Sequence, residues 1–330
     1  MDSLRILIVQ ETNWLDRNVI HQHHIAERLA SWGHDVQVVD YDILWADRET
    51  PPTWQPRQVF PSVNRVVPGV SLSVTRPATA QLPLLCHASW AATSLMEVRN
   101  RMAQQRPDVV IGLSLTNSYP MARLLKRAGI SYVRMVLEPY YTMVPQRWAR
   151  GAARAAEKRA LSTASSVVVF TPEMQQYVQS MGAPQSRVSL LKTGVSLDIF
   201  RPDVDGSDQR AALGIGPDEA VLFFMGWLYD FSGLREIICA ICDDRDLLNG
   251  ARLLVVGDGD LFAELTDAIS RHDLGQRIIF SGRRPYDDIP AMVAAADVCL
   301  LPSLENDTTR DIVPMKVYEY LAAGKPVVAS

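Results

Sequence analysis

Short apolar runs alternate along this chain with stretches of helical period, and that alternation leaves it few folds. Ile6-Leu-Ile-Val9 is an unbroken apolar run of the kind a parallel strand covered on both faces requires. A polar loop over 10–18, a helix over 19–32 stopped by Gly33, and the run Asp35-Val-Gln-Val-Val39 complete a βαβ unit. The unit then recurs. A helix over 88–105 leads to a strand over 107–112, a helix over 118–128 and Gly129 lead to a strand over 131–136, and a helix over 150–162 leads to a strand over 166–170. A helix over 172–181 and a strand over 188–191 close the series. Residues 43–85 are rich in proline and polar residues without a clear period, and read as an irregular insertion serving as a lid or acceptor loop.

At 330 residues the chain exceeds one ordinary core. The composition shift at Arg201-Pro202-Asp203-Val-Asp-Gly-Ser-Asp208 reads as a linker, dividing the chain into domains 1–201 and 202–330. A second series follows it, with strands expected over 220–224, 252–256, 277–280, 298–301 and 326–329. The fold class is therefore α/β, two Rossmann-like doubly wound parallel sheets, with ligands expected in a cleft where the two domains meet.

The formal net charge of −4 supplies no overall basic footprint for a nucleic-acid partner. The N-terminus lacks a basic leader and cleavage site and reads as a first strand rather than a signal peptide. The longest uncharged stretch, 77–96, holds prolines, Gln81 and His87, poor material for a membrane span. Cys239 and Cys242 form a CxxC inside an apolar helical run with no second Cys/His pair, so they read as buried helix thiols rather than a metal or redox site. Few cysteines and an acidic balance fit a reducing cytoplasm. Peripheral contact with the inner face of the membrane stays open.

The last twenty residues, Asp311-Ile-Val-Pro-Met-Lys316-Val-Tyr-Glu319-Tyr-Leu-Ala-Ala-Gly324-Lys325-Pro326-Val-Val-Ala-Ser330, run from a short helix through a glycine break into a β-branched strand. Glu319 is expected near the start of that helix, at the carboxyl edge of the second sheet, where open α/β sheets bind nucleotides and sugars. Gly257-Asp-Gly259 lacks the third glycine of a dinucleotide fingerprint, but as a strand-to-helix turn it permits close approach to a ligand.

Several segments, taken in order, resemble the family 4 retaining glycosyltransferases of the GT-B fold. They are Lys192-Thr-Gly194-Val195-Ser-Leu-Asp198-Ile-Phe200-Arg-Pro202, Arg210-Ala-Ala-Leu-Gly214, Val221-Leu-Phe-Phe-Met-Gly226-Trp-Leu228 and Leu253-Leu-Val-Val-Gly257-Asp-Gly259. Phe280-Ser-Gly282, Ala296-Asp297-Val298 and Leu301-Pro302-Ser303 follow, and 21–34 resembles the family's first helix. The resemblance implies transfer of a hexose from an activated, nucleotide-diphosphate sugar donor held by the second domain. The acceptor, a glycan, lipid or small molecule, is held by the first, and configuration is retained. It implies no cofactor and no metal, cations and helix N-termini holding the phosphates. Family members continue beyond this point, so the chain is expected to be C-terminally truncated.

By the same resemblance Glu319 holds the ribose hydroxyls of the donor, as a carboxylate accepts two of them. Asp311, eight residues earlier, contacts the donor sugar, a role for which Glu305 competes. Lys316 neutralises phosphate. Where the family carries an arginine and a lysine for the diphosphate, this chain has Trp227 and Ser232, with Gly226 and Gly233 keeping the backbone approachable. Arg235, Arg283 and Arg284 are candidate replacements, and a monophosphate-linked donor enters as an alternative. In the first domain Glu11-Thr-Asn-Trp-Leu-Asp16 replaces a Gly-Gly loop and Leu137-Glu138 replaces His-Asp, leaving Glu138 as a candidate for acceptor positioning or base work. His21 matches the histidine of the family's first helix, which implies a place lining the cleft; it shares a helix face with His24, though zinc would need more ligands than that pair. A nucleotide-sugar epimerase or phosphorylase, or a binding protein without turnover, are the competing functions on this scaffold.

Overall fold

The computed structural model describes residues 2–43, 50, 52–83, 85–144, 146–305 and 314–330. The chain divides into two compact units, Met1–Lys192 and Thr193–Ser330.

In the first unit the strands are β1 (Arg5–Gln10), β2 (Asp35–Val39), β3 (Trp54–Gln55), β4 (Gln58–Val63), β5 (Leu72–Arg76), β6 (Thr79–Ala80), β7 (Val109–Leu113), β8 (Ser131–Val136), β9 (Ser166–Val169) and β10 (Val188–Leu190). The helices are α1 (His21–Ser31), α2 (Leu85–Gln104), α3 (Ser118–Ala128), α4 (Arg150–Thr163) and α5 (Pro172–Ser180). The main sheet runs β10-β9-β8-β7-β1-β2-β5-β4, with β4 antiparallel to β5 and every other pairing parallel. The apolar run of β1 lies at its centre, Ile6 facing Val36 on one side and Val109 on the other. Trp90, Val98, Met121, Leu125, Leu161 and Val178 close one face, and Trp14, Ala26, Ile8, Val38 and Val74 close the other.

The insertion read as irregular is in part an extension of this sheet. Within it β5 pairs parallel with β2, β4 forms an antiparallel edge, and β3 and β6 make a small ribbon. Pro61 hid β4 from the sequence pattern. It falls where the β4–β5 register shifts on an edge strand, the place a residue without an N–H is tolerated. Buried charge hid β5. Arg76 is inside the unit, its Nη2 2.6 Å and Nε 3.0 Å from the two carboxylate oxygens of Asp40, with Nη2 also 3.0 Å from Asn13 Oδ1. Asp40 accepts the Trp14 N–H as well, so this pair anchors the loop after β1.

The second unit contains α6 (Ser207–Ala212), β11 (Val221–Met225), α7 (Leu234–Asp243), β12 (Arg252–Val256), α8 (Phe262–Arg271), β13 (Ile278–Gly282), α9 (Ile289–Ala294), β14 (Val298–Leu301), α10 (Met315–Ala322) and β15 (Val327–Ala329). Its sheet is parallel throughout, in the order β13-β12-β11-β14-β15. The segment before the linker packs with this unit, because Phe200 is buried in its core and Val195 and Ile199 pack beside it. On α7, Leu234, Ile238 and Ile241 face inward. Cys239 is turned away from that face and is exposed, not buried as the apolar run suggested, and Cys242 is half-buried.

Replacing Arg76 with Met leaves the Asp40 carboxylate buried without the guanidinium that pairs with it. Urea unfolding should show a loss of about 3–5 kcal/mol, as removal of one partner of a buried pair does.

Candidate active site

In the second sheet the chain steps from β11 outward to β12 and β13, then returns to place β14 on the other side of β11. The carboxyl ends of β11 and β14 therefore flank the point where strand order reverses, the place where open α/β sheets bind ligands. Two glycine turns meet there. Gly226, after β11, donates its N–H to Val256 O at 2.9 Å. Gly257, after β12, lies so near that a Cβ on it would stand 2.0 Å from Gly226 O. Both have positive φ, +134° and +146°. A side chain on Gly226 would meet Lys316 Nζ at 2.8 Å, so the bare backbone leaves the space into which this lysine reaches.

Lys316 arrives from α10, which is held at three points. The buried Tyr320 hydroxyl accepts the Met225 N–H at 3.0 Å, and its ring meets Phe223 edge-on at 5.9 Å. Gly324, with φ +71°, ends the helix. Lys325 Nζ donates to Ala294 O and Ala296 O at 2.8 and 2.7 Å. Lys316 and Glu319, three residues apart, then share a face. Glu319 is 8% exposed, and it sits in the second turn of the helix rather than near its start, where Lys316 is. The Lys316 ammonium lies 4.2 Å from the centre of the Phe224 ring, a cation–π contact. Among the described residues neither charged group has a hydrogen-bond partner. Burial pushes the Glu319 carboxyl up to about 7, with Lys316 pulling the other way. Burial brings the Lys316 ammonium down to about 8, with Glu319 opposing. An ammonium and a carboxylate largely withdrawn from water, with no hydrogen-bond partner among the described residues, suit a ligand carrying an anion and hydroxyls.

The other residues proposed for the donor are not all gathered here. Asp311 lies outside the described residues. Glu305 is exposed beyond β14. Arg235 is engaged elsewhere, its Nε and Nη2 2.7 and 2.9 Å from the Glu264 carboxylate and its Nη2 3.2 Å from Asp230. Arg283 and Arg284 are exposed past β13, an edge strand separated from β11 by β12. The loop after β11 presents aromatic rings instead of cations. Trp227 is 39% exposed, and Tyr229 stacks on Phe231 at 4.8 Å. Leu304 N donates to Phe231 O at 2.9 Å, tying this loop to the one after β14.

In the first unit His21 opens α1 with its ring 5.2 Å from Phe170, which follows β9. Burial, helped by His24, lowers it to about 4, so it is neutral at pH 7. Glu138, after β8, is half-buried, and that burial raises its carboxyl while Arg17 draws it down. His23 is a structural group: Nδ1 accepts the Ile20 N–H at 3.1 Å and Nε2 donates to Trp14 O at 3.0 Å. Sequence reasoning missed His87. Its Nδ1 lies 3.2 Å from Glu11 Oε1, which holds the imidazolium form more firmly than usual. Glu11 is itself fixed by the Leu115 and Thr116 N–H groups at 2.8 and 3.0 Å and by the Thr116 hydroxyl at 2.8 Å. The arrangement orients a ring whose Nε2 has no hydrogen-bond partner among the described residues, a geometry suited to exchanging a proton. The partners are 76 residues apart, and only the position of Glu11 directly after β1 hinted at a role.

Residues 19–194 match the family model of the glycosyl transferase 4-like domain, and residues 205–330 match that of the glycosyl transferases group 1. The chain belongs to this glycosyltransferase family. The family member resembles the 2-deoxystreptamine glucosyltransferase of Streptomyces kanamyceticus, at 28% identity over 226 residues, 67% of this chain and 53% of that protein. It also resembles the D-inositol 3-phosphate glycosyltransferase of Mycobacterium tuberculosis (strain F11), at 28% identity over 183 residues, 53% of this chain and 35% of that protein. The matched region thus spans about half or less of each relative. Among solved structures, sucrose-phosphate synthase from Thermosynechococcus elongatus superposes with a TM-score of 0.72 at 19% identity, over 98% of this chain and 80% of that one. Anabaena HepE in complex with UDP-glucose gives 0.67 at 19% identity, over 99% and 80%. At such identities the likeness establishes the fold, the two-domain α/β GT-B class.

Because the Glu319 carboxyl titrates higher in the folded chain than unfolded, its contribution favours folding below the ordinary carboxylate range and is lost as pH rises through about 7. Glu319→Gln should therefore match the parent chain at pH 5 and exceed it at pH 8, by on the order of 2 kcal/mol in chemical unfolding.

Proposed function

We propose that this chain transfers a hexose from a nucleotide-diphosphate sugar to a hydroxyl of a glycan, lipid or small-molecule acceptor, with retained configuration. The carrying observation is the placement of Lys316 and Glu319 together at the strand-reversal point of the second sheet. In this reading Lys316 receives the carrier phosphate in place of the cations that Trp227 and Ser232 exclude, and Glu319 accepts the ribose hydroxyls. Negative charge grows on the carrier as its bond to the sugar breaks, and an ammonium in a half-dry site stabilises that charge better than one in water. Asp311 is assigned to the donor sugar. On the first unit His21, Glu138 and the Glu11–His87 pair are assigned to the acceptor. The solved complexes of HepE with UDP and with UDP-glucose support the donor class, and the names of the sugar-transferring relatives support the reaction. The cysteines are all free, which suits a cytoplasmic site of action.

Lys316 is poised near 8, and a bound diphosphate raises it, so binding at pH 8 takes up protons. Calorimetry with UDP-glucose in two buffers of different ionisation enthalpy should register that uptake. Lys316→Met should abolish the uptake and weaken binding at least about tenfold, the scale of one charge-assisted contact. Glu319→Ala should weaken binding without loss of fold. Unchanged affinity in both variants, or no stabilisation of the parent chain by UDP-, GDP-, ADP- or dTDP-sugars in a thermal-shift screen, would overturn the reading.

A further inference from the structure

The net charge of −4 conceals a strongly basic face on the first unit. Between Ser118 and Thr163 the only carboxylates are Glu138 and Glu157, the first half-buried and the second wholly buried. Arg147, Arg154, Lys158 and Arg159, on the 3-10 turn before α4 and on α4 itself, are exposed. Lys126 and Arg127, in the last turn of the neighbouring α3, add to them. Arg154 and Lys158 are one helical repeat apart and project from one side. None of these six has a carboxylate partner among the described residues.

An apolar element stands within this face. Trp148 is 82% exposed, and Met143 is 58% exposed just before it. The segment that presents them is not loose. Tyr141 N donates to the buried Glu157 at 3.1 Å, Ala149 N donates to Gln146 O at 2.9 Å, and Arg150 Nε donates to Val144 O at 2.8 Å. A bonded turn that holds an indole almost wholly in water, at the head of a helix with exposed cations along it, is arranged for something outside the unit. An indole combines an apolar body with a polar N–H, and such groups settle at the headgroup level of a bilayer. Cations around it are drawn to anionic lipid, roughly 1 kcal/mol each near the surface.

We propose that this face, the turn before α4 with the exposed sides of α3 and α4, docks the chain on an anionic lipid surface, Trp148 and Met143 entering the boundary between headgroups and acyl chains. The occupant is a lipid surface rather than a nucleic acid. Sequence-tolerant single-strand binding lays successive bases on several aromatic platforms, whereas here one indole stands beside an aliphatic thioether. The contact is peripheral, for no described helix is long and apolar enough to cross a membrane. Nothing in this proposal depends on the donor site, so its failure would leave the catalytic reading standing.

The test is co-sedimentation of the full chain with phosphatidylcholine vesicles, with and without about 30 mol% phosphatidylglycerol, as salt is raised from about 50 to about 500 mM. Binding is expected only with the anionic lipid and should fall as salt rises. Arg154→Glu with Lys158→Glu should cut it at least about tenfold, since reversing two charges changes the surface by about four units of charge. Trp148→Ala should lower it several-fold while the melting temperature and UDP-glucose affinity stay at parent values. Equal binding to neutral and anionic vesicles, or full binding by the charge-reversed variant, would overturn the proposal. So would vesicles left unbound while poly(U) RNA is retained at the same salt, since the face would then be a nucleic-acid surface.

Discussion

The hydrogen bond from the Met225 N–H to the Tyr320 hydroxyl carries more of this site than any charged contact does. Met225 is the last residue of the central strand, where backbone donors would otherwise face the end of the sheet. By accepting that donor, Tyr320 sets both the height and the rotation of α10 against β11. The helix has little freedom left once Gly324 ends it and Lys325 binds two carbonyls at the end of α9. The positions of Lys316 and Glu319 follow from that docking, because a helical face is determined once one of its residues is pinned.

The same docking depends on emptiness elsewhere. Gly226 and Gly257 bring two turns together with no Cβ between them, and Lys316 reaches the volume that a side chain on Gly226 would take. The cation at this edge therefore comes from the helix after β14 instead of the loop after β11, whose outward positions are given to Trp227, Tyr229 and Phe231. Arg235, the nearest arginine in sequence, forms a two-pronged pair with Glu264 on α8 instead.

Burial then decides how these groups behave. Glu319 and Lys316 pull each other toward the charged state, yet loss of water acts more strongly on both, so each titrates close to neutral pH. In the first unit the balance falls differently. Glu11 has four donors and steadies a half-exposed histidine, whereas His21 has lost its water and has no carboxylate beside it among the described residues, so it stays neutral.

The alternation of apolar runs with helical stretches was sufficient to determine the strand and helix series outside the insertion and the parallel pairing of those strands. Those properties follow from local periodicity. The strands of the insertion were not legible, since Pro61 and the buried Arg76 break the apolar pattern and only their partners across the sheet account for them. Neither was the pairing of His87 with Glu11, nor the engagement of Arg235 with Glu264, nor the exposed cations that α3 and α4 share in a chain of negative net charge. Each of these joins residues that the chain order keeps apart or that composition averages away. Distance and loss of water set the strength of a charge, and both are properties of the packed tertiary structure alone.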